Sequence, residues 1–157
     1  MPADVDALVV YNTQLSDDYN VIGLAAQEVA EHVQPGQFVM VRPARGYDPL
    51  LRRPFSIFEI IRDANRRPTG ISILNKRVGT GTRLVYDLAP GDRIACLGPL
   101  GRPFALVAPP TRAWMVAGGV GLYLLAAQPL QQRHRAADRA VHAEAAHPRE
   151  LHHFAGR

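Results

Sequence analysis

The chain has 157 residues, 47% of them hydrophobic, and a net charge of +4. That length fits one ordinary domain, or one domain with part of a second, and that apolar content excludes global disorder. The charge is too mild to demand a nucleic acid, and aromatic residues do not alternate with basic ones as a single-strand-binding surface requires.

The start, "MPADVDALVV", has neither the basic segment nor the long apolar run of a signal peptide. No run reaches the roughly 18 apolar residues of a membrane span, so a cytoplasmic protein without membrane or nucleic-acid partners is expected. "ALVVYNTQL" and "YNVIGLAA" are β-rich and separated by the polar "SDD". A Pro35-Gly36 turn leads into a short strand from Phe38 to Val41. "RPFSIFEII", "TGISILNKRV" and "DRIACLGPL" supply three more strands. Six short strands divided by Gly, Pro and Asp turns predict a mainly β fold, a closed barrel or a sandwich. The exception is "GTGTRLVYDLAPGD", where Leu84, Val85 and Leu88 fit a two-turn helix stopped by Pro90, with Thr82 at its N-cap or in its first turn.

The character changes after "LVAPPT", where Pro109-Pro110 reads as a linker. "RAWMVAGGVG" is an apolar strand running into a glycine turn. Beyond Tyr123 the chain is rich in Ala, Arg and His. His142 and His147 are five apart and drift off one helical face, so a metal site is not expected. None of the three serines sits in a G-x-S-x-G elbow. The single cysteine, Cys96, excludes a disulfide framework, a cysteine zinc site and an iron–sulfur cluster built from these residues alone.

Three stretches carry chemistry. In "LLRRPFSIF", Arg52 and Arg53 stand at the mouth of a strand, where a guanidinium can grip a phosphate by a two-pronged contact. Alternation puts Arg53 and Phe55 on one face, Pro54 and Ser56 on the other. The plainer alternative is an edge strand with solvated arginines and a buried serine. In "NKRVGTGT", Gly79 and Gly81 precede a helix whose first-turn N–H groups suit a pyrophosphate, with Lys76 and Arg77 adding charge; an ordinary glycine loop explains it equally well. In "VAGGVG", a strand enters a turn of Gly118, Gly119 and Gly121. That turn suits a dinucleotide but is not G-x-G-x-x-G, and a tight strand-to-helix turn explains it as well.

The order of these stretches is more specific than any one of them. "PGQFVMVRP", "DPLLRRPFSI", "GTGTRLV", "GDRIACLGPLGRPF" and "MVAGGVGL" together resemble the ferredoxin-reductase family of flavoproteins, and within it the electron-transfer subunits of dihydroorotate dehydrogenase B. The resemblance covers residues 7 to 122. It implies a six-stranded Greek-key FAD-binding barrel over 1–108, followed by an incomplete α/β NAD-binding domain over 109–157. It implies that Arg53 neutralises the FAD pyrophosphate and that Gly81 and Thr82 cradle it. Pro54, Phe55 and Ser56 would line the flavin, with Ser56 catalytic near the hydride-accepting ring edge. Leu74, Asn75 and Lys76 fall on a second flavin-contacting strand, where the family carries Tyr-Arg in place of Asn75-Lys76. Gly118, Gly119 and Gly121 would approach NAD(H). Electrons would pass from NADH through FAD to a dihydroorotate dehydrogenase catalytic subunit in pyrimidine biosynthesis, by way of an iron–sulfur cluster whose cysteines this sequence lacks.

The resemblance ends at Leu122. Pro129 interrupts the helix expected there, and the 49 residues after Ala108 are too few for a complete nucleotide-binding sheet. The tail reads either as a shifted reading frame or as a diverged helical segment. Two alternatives to the main reading follow: a remnant that binds FAD or a partner without turnover, and a free-standing flavin or ferredoxin reductase.

Overall fold

A computed structural model describes residues 1–43 and 51–104. The elements in chain order are β1 (Ala3–Gln14), β2 (Tyr19–Ala25), α1 (Gln27–Ala30), β3 (Phe38–Arg42), β4 (Arg53–Arg62), β5 (Pro68–Lys76), α2 (Thr80–Tyr86) and β6 (Arg93–Leu100). The strands close into an antiparallel barrel in the order β1-β2-β5-β4-β3-β6. Closure leaves none of the six with an unpaired edge.

The six strands predicted between residues 7 and 100 are all present, while the strand predicted from Ala113 to Ala117 lies outside the described residues. β1 starts earlier than its apolar run suggests, because its first half pairs with β6 and its second half with β2. A bulge between Val9 and Tyr11 marks the changeover. α1 is only four residues long and was not expected; it has no side-chain N-cap to announce it. The predicted helix begins at Thr80 with Gly79 as its N-cap, which puts Thr82 in the first turn and not at the N-cap.

The core is the barrel interior. Val9, Ile22, Leu24, Val39, Val41, Phe55, Ile57, Ile71, Ile73, Ile94 and Cys96 point inward from the six strands and are buried. Period-two alternation then sends their sequence neighbours outward. Cys96 sits among these apolar groups, and burial pushes its thiol up to about 12. That is a structural cysteine.

The two helices cover opposite ends. β2 and β5 run antiparallel, with Leu24 opposite Ile71 and Tyr19 opposite Lys76. α1 follows the Ala25 end of β2, and α2 follows the Lys76 end of β5. At the α1 end Ala26, Val29 and Ala30 join the core. At the α2 end Val85 joins it, beside two fully buried asparagines, Asn20 and Asn75.

Candidate cofactor site

α2 opens where β4 also begins. Its first turn has N–H groups with no carbonyl upstream to accept them. The Thr82 hydroxyl satisfies the loop just before: it accepts from the Val78 N–H at 2.9 Å and the Gly79 N–H at 3.0 Å, and donates to the Gly79 carbonyl at 3.0 Å. The hydroxyl is therefore fully used, and Thr82 can offer a ligand only its backbone. Gly79 leaves open space, since an added Cβ would meet nothing within 4 Å.

Arg53 reaches this turn from β4. A Cβ placed on Gly81 would lie 3.6 Å from both Cγ and Nε of Arg53, so the arginine stem runs across the glycine. Residues 28 positions apart in sequence thus put a guanidinium beside a helix start. The Arg53 guanidinium makes one long contact, 3.5 Å to the Leu51 carbonyl, and no ion pair among the described residues. Arg52 differs. It pairs with Asp4 on β1 at 2.9 Å, which ties the start of β4 to the barrel wall. Of the two arginines expected at phosphates, Arg52 is thus ion-paired and Arg53 has no ion pair among the described residues.

Beside Arg53 lies a strip on the outer wall. Pro54 and Ser56 are exposed, while Phe55 and Ile57 point into the core. Across the β3–β4 ladder Met40 stands opposite Pro54, and Phe38 opposite Ser56. The result is a shallow apolar strip of Phe38, Met40 and Pro54 with one hydroxyl, Ser56, which has no hydrogen-bond partner among the described residues. The chain leaving β6 frames the strip. Gly101 turns with φ +81°, where only glycine is unstrained, and a Cβ there would come within 2.9 Å of the Phe38 ring. The Gln37 side chain donates to the Gly101 carbonyl at 3.0 Å.

The structure brings Arg53 against Gly81 in the first turn of α2, and Pro54 and Ser56 follow Arg53 on the outer wall of β4. Phe55 can meet an outer ligand only through its backbone, because its side chain is core. Leu74 is half-buried on the outer parity of β5. Asn75 faces inward, fully buried, and bonds to Asn20 and to the Thr82 carbonyl. Its side chain is not on the outer wall. Lys76 lies over the Tyr19 ring at 5.3 Å, and Arg77 over the Tyr86 ring at 4.8 Å with Asp18 at 3.7 Å. These two cations are thus engaged with side chains of β2, α2 and the turn before β2. Gly118, Gly119 and Gly121 lie outside the described residues. Sequence reasoning passed over Phe38 and Met40, although the alternation in "FVMV" already sets them apart from Val39 and Val41. Among the described residues no His, Cys, Asp and Glu cluster could hold a metal, and no helix is long and apolar enough to cross a membrane.

No family model matches the chain. The dihydroorotate dehydrogenase B (NAD(+)) electron transfer subunit of Geobacillus thermodenitrificans is 40% identical over 125 residues, covering 76% of this chain and 47% of that protein. The subunit of the same name from Bacillus caldolyticus is 44% identical over 110 residues, covering 67% and 41%. The matched region is homologous to these electron-transfer subunits. The chain spans less than half the length of these relatives. Among solved structures, the ferredoxin reductase of carbazole 1,9a-dioxygenase superposes with a TM-score of 0.65 at 22% identity, covering 85% of this chain and 41% of that one. Phthalate dioxygenase reductase superposes with a TM-score of 0.58 at 17% identity, covering 85% and 40%. The fold is the ferredoxin-reductase-type barrel.

Proposed function

We propose that residues 1–108 form an FAD-binding barrel, and that the chain serves NADH-linked electron transfer to a dihydroorotate dehydrogenase catalytic subunit in pyrimidine biosynthesis. The carrying observation is the Arg53 stem lying across Gly81 at the open first turn of α2. A guanidinium and backbone N–H groups converging on one open space are a donor set for a diphosphate. The strip of Phe38, Met40 and Pro54 offers a flat apolar wall to one face of a planar ring, and homology to the electron-transfer subunits supports a flavin in that place.

A bound flavin supplies the hydride and one-electron chemistry; the protein supplies position and electrostatics. Arg53 offsets the diphosphate charge. The Ser56 hydroxyl offers one hydrogen bond to a ring edge. Pro54 and Met40 keep water from one ring face. Ser56 is assigned no proton-transfer step. Residues 109–157 would belong to a nucleotide-binding segment, with Gly118, Gly119 and Gly121 near NAD(H). The iron–sulfur chemistry of this reading would need cysteines from elsewhere, because Cys96 is alone and buried.

The test is the visible absorption of the purified chain, reconstituted with FAD, before and after anaerobic NADH. A flavin spectrum that bleaches supports the whole reading. A bound flavin that stays oxidised limits the chain to FAD binding. No flavin uptake refutes the cofactor site.

A further inference from the structure

Three asparagines from three strands form a chain of hydrogen bonds under α2. Asn75 on β5 donates through Nδ2 to Asn20 Oδ1 at 2.8 Å and to the Thr82 carbonyl at 2.9 Å. Asn20 on β2 donates to Asn12 Oδ1 at 2.8 Å. Asn12 on β1 donates to the Tyr86 carbonyl at 2.8 Å and the Leu88 carbonyl at 2.6 Å. Both amide–amide bonds run one way, from Asn75 toward Asn12. The acceptors facing Nδ2 fix the orientation of each amide. The acceptor end is left over: Asn75 Oδ1 is buried with no partner among the described residues.

This is an expensive way to close a barrel. Asn20 and Asn75 are 0% exposed, and Asn75 stands where β-branched residues fill the same face at Ile71 and Ile73. Buried amides cost free energy unless bonded, and an orphan acceptor is a standing penalty. An apolar plug would avoid both. What the asparagines add is geometry, because directional bonds from three strands fix a helix in height and rotation, as packing alone does not.

The grip falls on one place. The Thr82 carbonyl held by Asn75 is one residue beyond Gly81, the glycine that Arg53 crosses. The other bonds hold the far end of α2, at Tyr86 and Leu88. We propose that the Asn12–Asn20–Asn75 ladder is a positioning device that sets the first turn of α2 against Arg53, and so tunes the affinity of the site for a diphosphate. The ladder touches no ligand and acts through the helix. The proposal rests on the cofactor-site reading given above.

The test compares three probes on the full chain. FAD carries ring and diphosphate, ADP carries the diphosphate alone, and riboflavin carries the ring alone. Asn75→Leu keeps the branched shape and heavy-atom count of the side chain and removes the donor. It is expected to weaken FAD and ADP about tenfold while riboflavin stays within about twofold. Asn12→Ala, at the less buried end, is expected to weaken FAD about threefold in the same pattern, and carries the test if Asn75→Leu does not fold. Arg53→Ala is the control for the site itself. An unchanged ratio of FAD to riboflavin affinity in both ladder variants, or an equal loss of all three probes, overturns the positioning role while Arg53→Ala still loses FAD. If Arg53→Ala keeps full FAD affinity, or the unaltered chain binds no FAD, the cofactor reading fails and the ladder proposal falls with it.

Discussion

Each end of the barrel is covered by a short helix, α1 with four residues and α2 with seven, and the two ends differ in chemistry. The α1 end is apolar: Ala26, Val29 and Ala30 merge with the strand core. The α2 end is built from amides, a glycine-rich turn and an arginine with no ion pair among the described residues. The first closure serves burial alone. The second keeps buried polar groups and open backbone donors, which stability does not require and ligand binding does. On the proposed reading, one closed barrel separates its stabilising end from its ligand-binding end.

The largest expected effect is at the apolar end. Val29→Asp places a carboxylate among fully buried aliphatic groups. It should cost several kcal/mol, enough to leave most of the chain unfolded in a urea titration. A soluble, fully folded Val29→Asp protein would mean that α1 is not part of the core.

At the other end the effect should fall on binding. Arg53→Ala removes a half-exposed side chain, so stability should stay within ~0.5 kcal/mol while FAD affinity drops about 100-fold. Thermal melting and flavin titration on the same samples separate the two. Equal losses in both would erase the contrast between the ends.

Cys96 gives a pH test of the shared core. Its folded thiol is pushed from the ordinary 9.0 up to about 12 by burial, so the folded state holds its proton more tightly than the unfolded state. That contribution is intact below the ordinary value and is lost as pH rises from there toward about 12. The urea midpoint of the native chain should therefore fall between about pH 8 and about pH 10, and Cys96→Ala should fall less. Rapid modification of the native thiol by a disulfide reagent near neutral pH would contradict its burial.

The smallest effect sharpens the division between neighbours. Arg52→Ala breaks a surface pair with Asp4 and should cost less than ~1 kcal/mol, with FAD affinity unchanged. If Arg52→Ala loses FAD as Arg53→Ala does, the split between a structural and a functional arginine is wrong.

The strands were legible in the sequence because alternation and turn chemistry are local. "FVMV" and "RPFSI" show their two faces directly, and Pro35-Gly36 and Pro90-Gly91 mark the corners. α1 was not legible: four residues are too short for a helical period, and no capping side chain marks the start. Arg53 and Gly81 were legible as residue types, but their contact depends on where β4 and α2 meet. The separate fates of Arg52 and Arg53 depend on Asp4, 48 residues away. The asparagine ladder was hidden for the same reason. Asn12, Asn20 and Asn75 fall in strands read from the sequence, but only register places Asn20 opposite Asn75. Asn75, expected on the flavin side, instead serves the barrel interior.

The most direct test of the account is an FAD titration of the native chain and of Arg53→Ala, followed by flavin fluorescence. The account predicts uptake of one FAD by the native chain and about 100-fold weaker binding by the variant. Equal binding by both, or no binding by the native chain, would contradict the claim that Arg53 and the first turn of α2 form a diphosphate site.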